Sequence, residues 1–320
     1  MDTWFEQGPI RPPSEAGSLL IRATRNCPWN KCAFCHTYKG ETFAIRGSEE
    51  VKNDIYKAAK IADSLEKFSR EEGEGGVISA GIVRKVLESP ALYNDAYRAI
   101  AMWLYYGGRH VFIQDADSLT MKTGDMALIL RCLRETFPAV KRITTYCRSK
   151  TAARKPLAEL ELLREAGLSR IHVGMESGLD PLLKLIRKGV TAREHIEAGH
   201  KIKAAGISLC EYVMPGLGGK VWSHEHASET ARVINRINPD FMRLRSLQVA
   251  AATPLGEMTQ KGEFTPLGDE EVLSEIRELI SGLEDISTTI VSDHMFNLLE
   301  ELEGTLPADK TKLLTTIDRF

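Results

Sequence analysis

Three cysteines share one short loop: Cys27, Cys32 and Cys35 in Asn26-Cys27-Pro28-Trp29-Asn30-Lys31-Cys32-Ala33-Phe34-Cys35-His36, directly after the apolar run Leu19-Leu20-Ile21 that reads as a strand. A cubane iron–sulfur cluster takes four Cys ligands, so three thiolates leave one iron free to bind another molecule. That open corner is where chemistry can take place. The same loop also reads as a zinc knuckle, with His36 completing a Cys3His set.

The elements that must position this loop alternate along the chain. Apolar runs rich in β-formers occur at His110–Ile113, Arg142–Tyr146, Arg170–Gly174, Ile207–Val213 and Phe241–Leu244. Helical patterns lie between them, such as Leu157–Ala166 stopped by Gly167 and Ala192–Ala205 stopped by Gly206. Strand and helix repeated in this way predict parallel pairing through right-handed crossovers. In such sheets function gathers where the strands end, and the cysteine loop follows the first strand. An extra segment, about 49–106, reads as a helical insertion broken into two helices at Arg70–Gly76. From about Thr265 the pattern is helical and acidic, with eleven acidic residues against one basic, Arg277, between Asp269 and Glu303. This is a solvated helical face or a partner-docking face. Val272, Leu273, Ile276, Leu279, Ile280 and Leu283 recur at helical spacing, and Phe296, Leu298, Leu299 and Leu302 offer a second apolar face. The expected domains are a core at 1–264 and a helical extension at 265–320 that packs on the core and covers its open side.

The bulk numbers exclude several classes. A chain of 320 residues holds one large α/β barrel or two ordinary domains. Its net charge of -2 and pI near 6.5 do not advertise a nucleic-acid or membrane surface, so neither is an expected partner. The acidic N-terminus predicts no signal peptide, and no run reaches the ~18 apolar residues of a membrane span. Three clustered and three scattered cysteines (Cys132, Cys147, Cys210) point to a reducing, cytoplasmic setting with one metal site. The scattered three read as core or rim residues.

The cysteine loop resembles that of the radical S-adenosylmethionine (SAM) superfamily, whose usual spacing is Cys-x3-Cys-x2-Cys with an aromatic before the last Cys. Phe34 stands at the aromatic position and Cys32-x2-Cys35 fits, while the first gap holds four residues. Gly174-Met175-Glu176-Ser177-Gly178 resembles a stretch of the subgroup that contains the tRNA methylthiotransferases, the elongator acetyltransferase and the oxygen-independent coproporphyrinogen oxidase. The resemblance implies an α/β fold, a partial (β/α)6 TIM-like barrel with a helical insertion after strand 1 and a helical C-terminal extension. It also implies site residues. Cys27, Cys32 and Cys35 would hold one 4Fe-4S cluster, and SAM would occupy the free iron. Asp115 or Asp117, after the second strand, would meet the amino group of SAM. Glu176 with Ser177 would serve its ribose, and Lys188 its carboxylate. Met214 and Gly216, in the turn after the fifth strand, would approach the adenine.

Plainer readings stand beside these. Asp117 or Ser118 also suits a helix N-cap, and Glu176 a carboxylate at a helix N-terminus. His224 and His226 read as a metal pair or as a surface helix N-terminus. Eight basic residues between Arg131 and Lys155, against Glu135 alone, read as an anion or RNA patch or as a solvated face. Twenty-six residues before Cys27 predict no cobalamin domain ahead of it, and the acidic tail is unlike the β-rich RNA-binding appendage of the methylthiotransferases. The expectation is therefore a radical SAM enzyme acting on a small-molecule or unidentified substrate and reduced by a donor such as flavodoxin or ferredoxin. The competing expectation is a zinc- or cluster-bearing binding protein without turnover, with RNA as its ligand through the basic patch.

Overall fold

A computed structural model of the protein describes residues 4–90 and 94–320. In chain order the elements begin with β1 (Leu19–Arg22), the short strands β2 (Thr24–Arg25) and β3 (Ala44–Ile45), then helices α1 (Ser48–Glu71), α2 (Ala80–Glu88) and α3 (Asp95–Tyr105). The alternating part follows: β4 (His110–Gln114), α4 (Thr123–Thr136), β5 (Arg142–Cys147), α5 (Ser149–Arg154), α6 (Leu157–Ala166), β6 (Arg170–Glu176), α7 (Asp180–Leu185), α8 (Ala192–Ala204), β7 (Ser208–Val213), α9 (Gly219–Ile237) and β8 (Phe241–Leu244). The chain ends with α10 (Pro254–Gln260), α11 (Asp269–Ser281), β9 (Thr289–Val291), β10 (Glu303–Thr305) and α12 (Lys310–Ile317). The class is α/β, with an eight-stranded and mostly parallel sheet and a separate β2–β3 pair. All six strands expected from the alternating pattern are present.

Two compact units divide the chain. The first comprises residues 1–26, 42–146 and 161–170. Within it β4 runs parallel to β1 and to β5, with Phe112 opposite Leu20 on one side and Thr144 on the other. Helix α1 turns Val51, Ile55, Ala58, Ile61, Ala62 and Leu65 inward, an apolar stripe at a period near 3.6, and packs on β1, α3 and α4. Among its described residues the insertion holds three helices instead of two. Its second break falls at Ser89, which takes an extended conformation ahead of Pro90, where the proline ring crowds a helical residue. Residues 91–93, also part of the expected insertion, lie outside the described residues.

The second unit comprises residues 27–41, 147–160 and 171–320. Strands β7, β8 and β9 run parallel, with Tyr212 opposite Arg243 and Arg243 opposite Val291; β10 pairs antiparallel with β9. Helix α8 crosses α9 closely over β7, and a Cβ on Gly199 would meet both Ile237 of α9 and Leu209 of β7. The C-terminal segment is not helical throughout. Helix α11 buries Ile276, Leu279 and Ile280, with Leu283 just after it, as its spacing predicts. Beyond it the chain adds β9 to the edge of β8 and stops the row with three-residue β10, a short edge strand that invites no further pairing. Phe296, Leu298, Leu299 and Leu302 lie outside any helix; the first two are exposed and the last two buried.

Candidate active site

Cys27, Cys32 and Cys35 are free thiols, each partly exposed. Their loop has no regular structure of its own and is held by hydrogen bonds to distant turns. The Ala33 amide donates to the Ile186 carbonyl at 2.7 Å, and the Leu255 amide to the Ala33 carbonyl at 3.0 Å. Trp29 donates its indole N–H to the Arg187 carbonyl at 2.7 Å. The indole also lies on Gly189, where φ is +72° and a Cβ would collide with the ring, so glycine is required there on two counts. Arg148 stands 5.0 Å from the same ring centroid and donates to the Lys188 carbonyl at 2.8 Å. The Asn30 amide points at Cys27 Sγ at 3.4 Å. The cysteine loop and the Ile186–Gly189 turn therefore form one block.

Lys188 is carried by that turn. Its Nζ donates to Glu176 Oε1 at 2.8 Å, and both side chains are nearly buried. Glu176 ends β6 at φ 67°, a left-handed conformation that costs a side-chain-bearing residue on the order of 1–3 kcal/mol. The turn folds its carboxylate back over Gly174, where a Cβ would run into both Glu176 Oε1 and Lys188 Nζ. Lys188 also lies 5.9 Å from the Phe34 ring centroid. Burial opposes the Lys188 ammonium, but Glu176 and Cys32 outweigh it and the pKa rises. Burial pushes the Cys32 thiol up against the pull of Lys188. Glu176 and Lys188, expected in separate roles, are thus paired with each other, with Phe34 and Cys32 beside them.

Ser177, Met214 and Gly216 belong to an adjoining network. The Met214 amide donates to the Glu176 carbonyl at 3.0 Å. His226 Nε2 lies 3.1 Å from the Met214 carbonyl, which only accepts, so Nε2 carries the proton and Nδ1 accepts from Ser177 Oγ at 2.9 Å. Glu275 of α11 accepts from the Gly216 amide and from Ser223 Oγ, each at 2.6 Å. Burial lowers the His226 pKa to about 4. It raises that of Glu275 to about 7, even against those two hydrogen bonds. Their 3.7 Å separation is therefore no ion pair between those two pKa values: both groups are neutral. His226 is a core residue and not a surface one, whereas His224 is exposed beside Glu278.

In the first unit, Asp115 is fully buried and accepts from Arg22 Nε at 2.9 Å, Arg22 Nη2 at 2.6 Å and the Asn26 amide at 3.1 Å. Its carboxylate is committed to Arg22. Asp117 is also fully buried, and its side chain makes no cap bond to the short 3-10 turn Ser118–Thr120. Part of the basic patch is engaged within the protein, while Arg131, Lys141 and Arg154 are exposed. Arg134 holds the carbonyls of Val140 and Gly167, Arg142 pairs with Glu15, Lys150 with Glu194 and Lys155 with Glu159.

Residues that sequence reasoning missed are Trp29, Glu275 and Glu211. The last is fully buried on β7 and neither carboxyl oxygen has a hydrogen-bond partner; burial pushes its pKa well above the usual carboxylate range. A charged residue inside the run Ser208–Val213 was the available signal.

A family model described as the Radical SAM superfamily matches residues 21–231. The tRNA uridine(34) acetyltransferase of Methanocaldococcus infernus is 30% identical over 286 residues, 84% of this chain and 50% of that protein. Its counterpart from Methanocaldococcus jannaschii is 22% identical over 293 residues, 87% of this chain and 50% of that protein. The chain thus spans about half the length of these relatives. Among solved structures, the radical S-adenosylmethionine methyltransferase TsrM from Kitasatospora setae, with cobalamin and a 4Fe-4S cluster bound, has a TM-score of 0.50 at 15% identity, covering 76% of this chain and 39% of that one. At that identity the likeness is one of fold.

Proposed function

The chain belongs to the radical SAM superfamily, and from that premise we propose that it is the SAM-cleaving part of an enzyme that modifies RNA. As a member it is an iron–sulfur enzyme whose cofactors are a 4Fe-4S cluster and SAM. The donor set suits the cluster. Three free thiols stand on one loop. Among the described residues no three His, Cys, Asp or Glu groups converge on a single ion; a cubane presents its irons at separate corners, one to each thiolate.

The observation that carries the reading is the block of cysteine loop and Ile186–Gly189 turn, joined at Ala33–Ile186 and Trp29–Arg187. It fixes the cluster ligands relative to the residue proposed for the carboxylate of SAM. When bound and reduced, the cluster supplies the electron that breaks a C–S bond of SAM, giving methionine and a 5′-deoxyadenosyl radical that takes hydrogen from an unactivated C–H bond. The chain's own residues bind and orient. Lys188 offers its ammonium to the SAM carboxylate, and Glu176 accepts from the vicinal ribose hydroxyls. In exchange for each other Lys188 gains an anionic partner and Glu176 gains hydroxyl donors, so neither is left without a hydrogen-bond partner. The backbone at Met214 and Gly216 receives the adenine, held in place by His226 and Glu275, while Ser177 anchors His226.

RNA as substrate is supported by the names of the two tRNA-acetyltransferase relatives. These weigh against the expectation, drawn from net charge alone, that nucleic acid is not a partner. A one-electron donor of the flavodoxin or ferredoxin type and a reducing cytoplasm complete the proposal; among the described residues no helix is long and apolar enough to cross a membrane. The test is anaerobic incubation of the iron-loaded protein with dithionite and SAM, with and without tRNA. 5′-Deoxyadenosine is expected, together with retention of tRNA in a gel shift. Iron-loaded protein that yields no 5′-deoxyadenosine refutes the SAM chemistry, and absence of any tRNA shift refutes the RNA reading.

A further inference from the structure

Arg243 of β8 is more than nine-tenths buried, and its Nε–H has no hydrogen-bond partner. Its Nη1 is held by Asp293, which follows β9 and is about one-third exposed, with a side-chain accessibility of 36%. A buried donor without an acceptor is rare enough in native structures to require an explanation. The position supplies one. Leu209 of β7 turns toward α8 and α9, so by strand alternation Tyr212 faces the other way. Arg243 is its partner in register and shares that face. His172 of β6 is in ring contact with Tyr212, centroids 5.8 Å apart, and so lies on the same face. Two residues further along β6 is Gly174, which is overlain by Glu176 and Lys188. The donor therefore belongs to a polar row on the sheet face over which Glu176 and Lys188 fold, toward the same strand ends.

We infer that Arg243 is a substrate-recognition residue, donating its Nε–H to a neutral carbonyl oxygen of the molecule that presents its C–H bond to the site, with Asp293 positioning the guanidinium. This rests on the reading of Glu176 and Lys188 as SAM ligands and of RNA as substrate, and the carbonyl is then that of a nucleobase. The neutral acceptor is preferred to an anion on charge grounds: Asp293 already compensates the guanidinium, and a phosphate or carboxylate would be brought up against that carboxylate in a site largely shielded from water. The carboxylate also retains acceptor capacity for an N–H of the base.

The test uses the iron-loaded full chain, a short oligouridylate and an abasic oligonucleotide of equal length, compared by fluorescence anisotropy. Arg243→Lys keeps the cation beside Asp293 and removes the Nε–H; Arg243→Gln removes both. Melting temperature and iron content report whether each variant is folded, and Arg243→Lys retains the buried charge pair if Arg243→Gln does not fold. The expected result is a loss of about tenfold or more in oligouridylate affinity in both variants, the scale of one hydrogen bond to a charged donor, with abasic affinity unchanged. Equal losses for both oligonucleotides would mean a phosphate contact and overturn the carbonyl assignment. Wild-type affinity in Arg243→Lys would overturn the recognition role, whereas a wild-type protein that binds neither oligonucleotide would overturn the RNA reading and the inference with it.

Discussion

Glu176 combines a left-handed backbone, a buried carboxylate and one cationic partner, so its replacement has two separable effects. Without SAM, losing either Glu176 or Lys188 leaves the other buried and uncompensated, a cost of about 3 kcal/mol. With SAM, each loss removes one charged hydrogen bond, about 1–3 kcal/mol of affinity. Glu176→Ala and Lys188→Ala should both keep iron and bind SAM more weakly by calorimetric titration. The double variant should be less destabilised than the sum of the singles, and strict additivity in denaturant melts would contradict the pairing. For the cysteines, Cys27→Ala, Cys32→Ala and Cys35→Ala should each lose cluster iron and SAM cleavage, whereas iron retained in the triple variant would exclude them as ligands. The thiols were legible because their spacing is local. Trp29 was not, since its meaning comes from the turn at Arg187–Gly189, more than 150 residues away. His226 was misread because its sequence neighbours are polar and its burial depends on Met214, Ser177 and α11.

Helix α11 and the turn after β7 are joined through Glu275, which couples two opposing titrations. The raised pKa of Glu275, about 7, means its contribution to stability is present below the unfolded value of 4.5 and is lost as pH rises through 7. The lowered pKa of His226, about 4, means the reverse: its contribution is present above 6.5 and is lost as pH falls through 4. Between about pH 4.5 and 6.5 the slopes cancel, each near 1.4 kcal/mol per pH unit. Glu275→Gln removes that falling contribution, so the melting temperature of the variant should rise relative to that of wild type as pH rises across that window. A difference independent of pH would contradict the assignment. Glu211 gives a second test on β7. Burial raises its pKa, so its contribution to wild-type stability falls as pH rises above the ordinary carboxylate range, and Glu211→Met should melt higher than wild type with a gap that widens as pH rises above that range; a constant or narrowing gap would count against it. The six alternating strands were legible because each is a run of β-formers bounded by helix stops. Strands β9 and β10 were not, although Thr288-Thr289-Ile290-Val291 is an unbroken β-branched run. Its acidic surroundings suggested helix, and a three-residue strand is decided by the neighbour it pairs with, which local sequence does not contain.

At the scale of the whole molecule, the residues after Thr265 bear on whether the rest of the second unit keeps its form. Glu275 satisfies the Gly216 amide and Ser223. Asn297 accepts from the Ser246 amide at 2.8 Å and donates to the Leu244 carbonyl at 2.9 Å, fastening the chain where β8 ends. Strand β9 satisfies the edge of β8. Ile276, Leu279, Ile280 and Leu283 are buried, at roughly 2 kcal/mol each, a sum comparable with the net stability of an entire domain. A chain ending at Thr265 would lose all of these at once, expose an unpaired strand edge to other molecules, and release the turn at Met214–Gly219 proposed to receive SAM. It should aggregate, or lose its iron on purification. An independent acidic appendage would behave differently: its removal would leave a soluble, monomeric protein that forms 5′-deoxyadenosine at the full-length rate. Size-exclusion chromatography with iron and 5′-deoxyadenosine assays on the shortened chain separates the two, and the second outcome would show that the C-terminal segment is not part of the scaffold of the site.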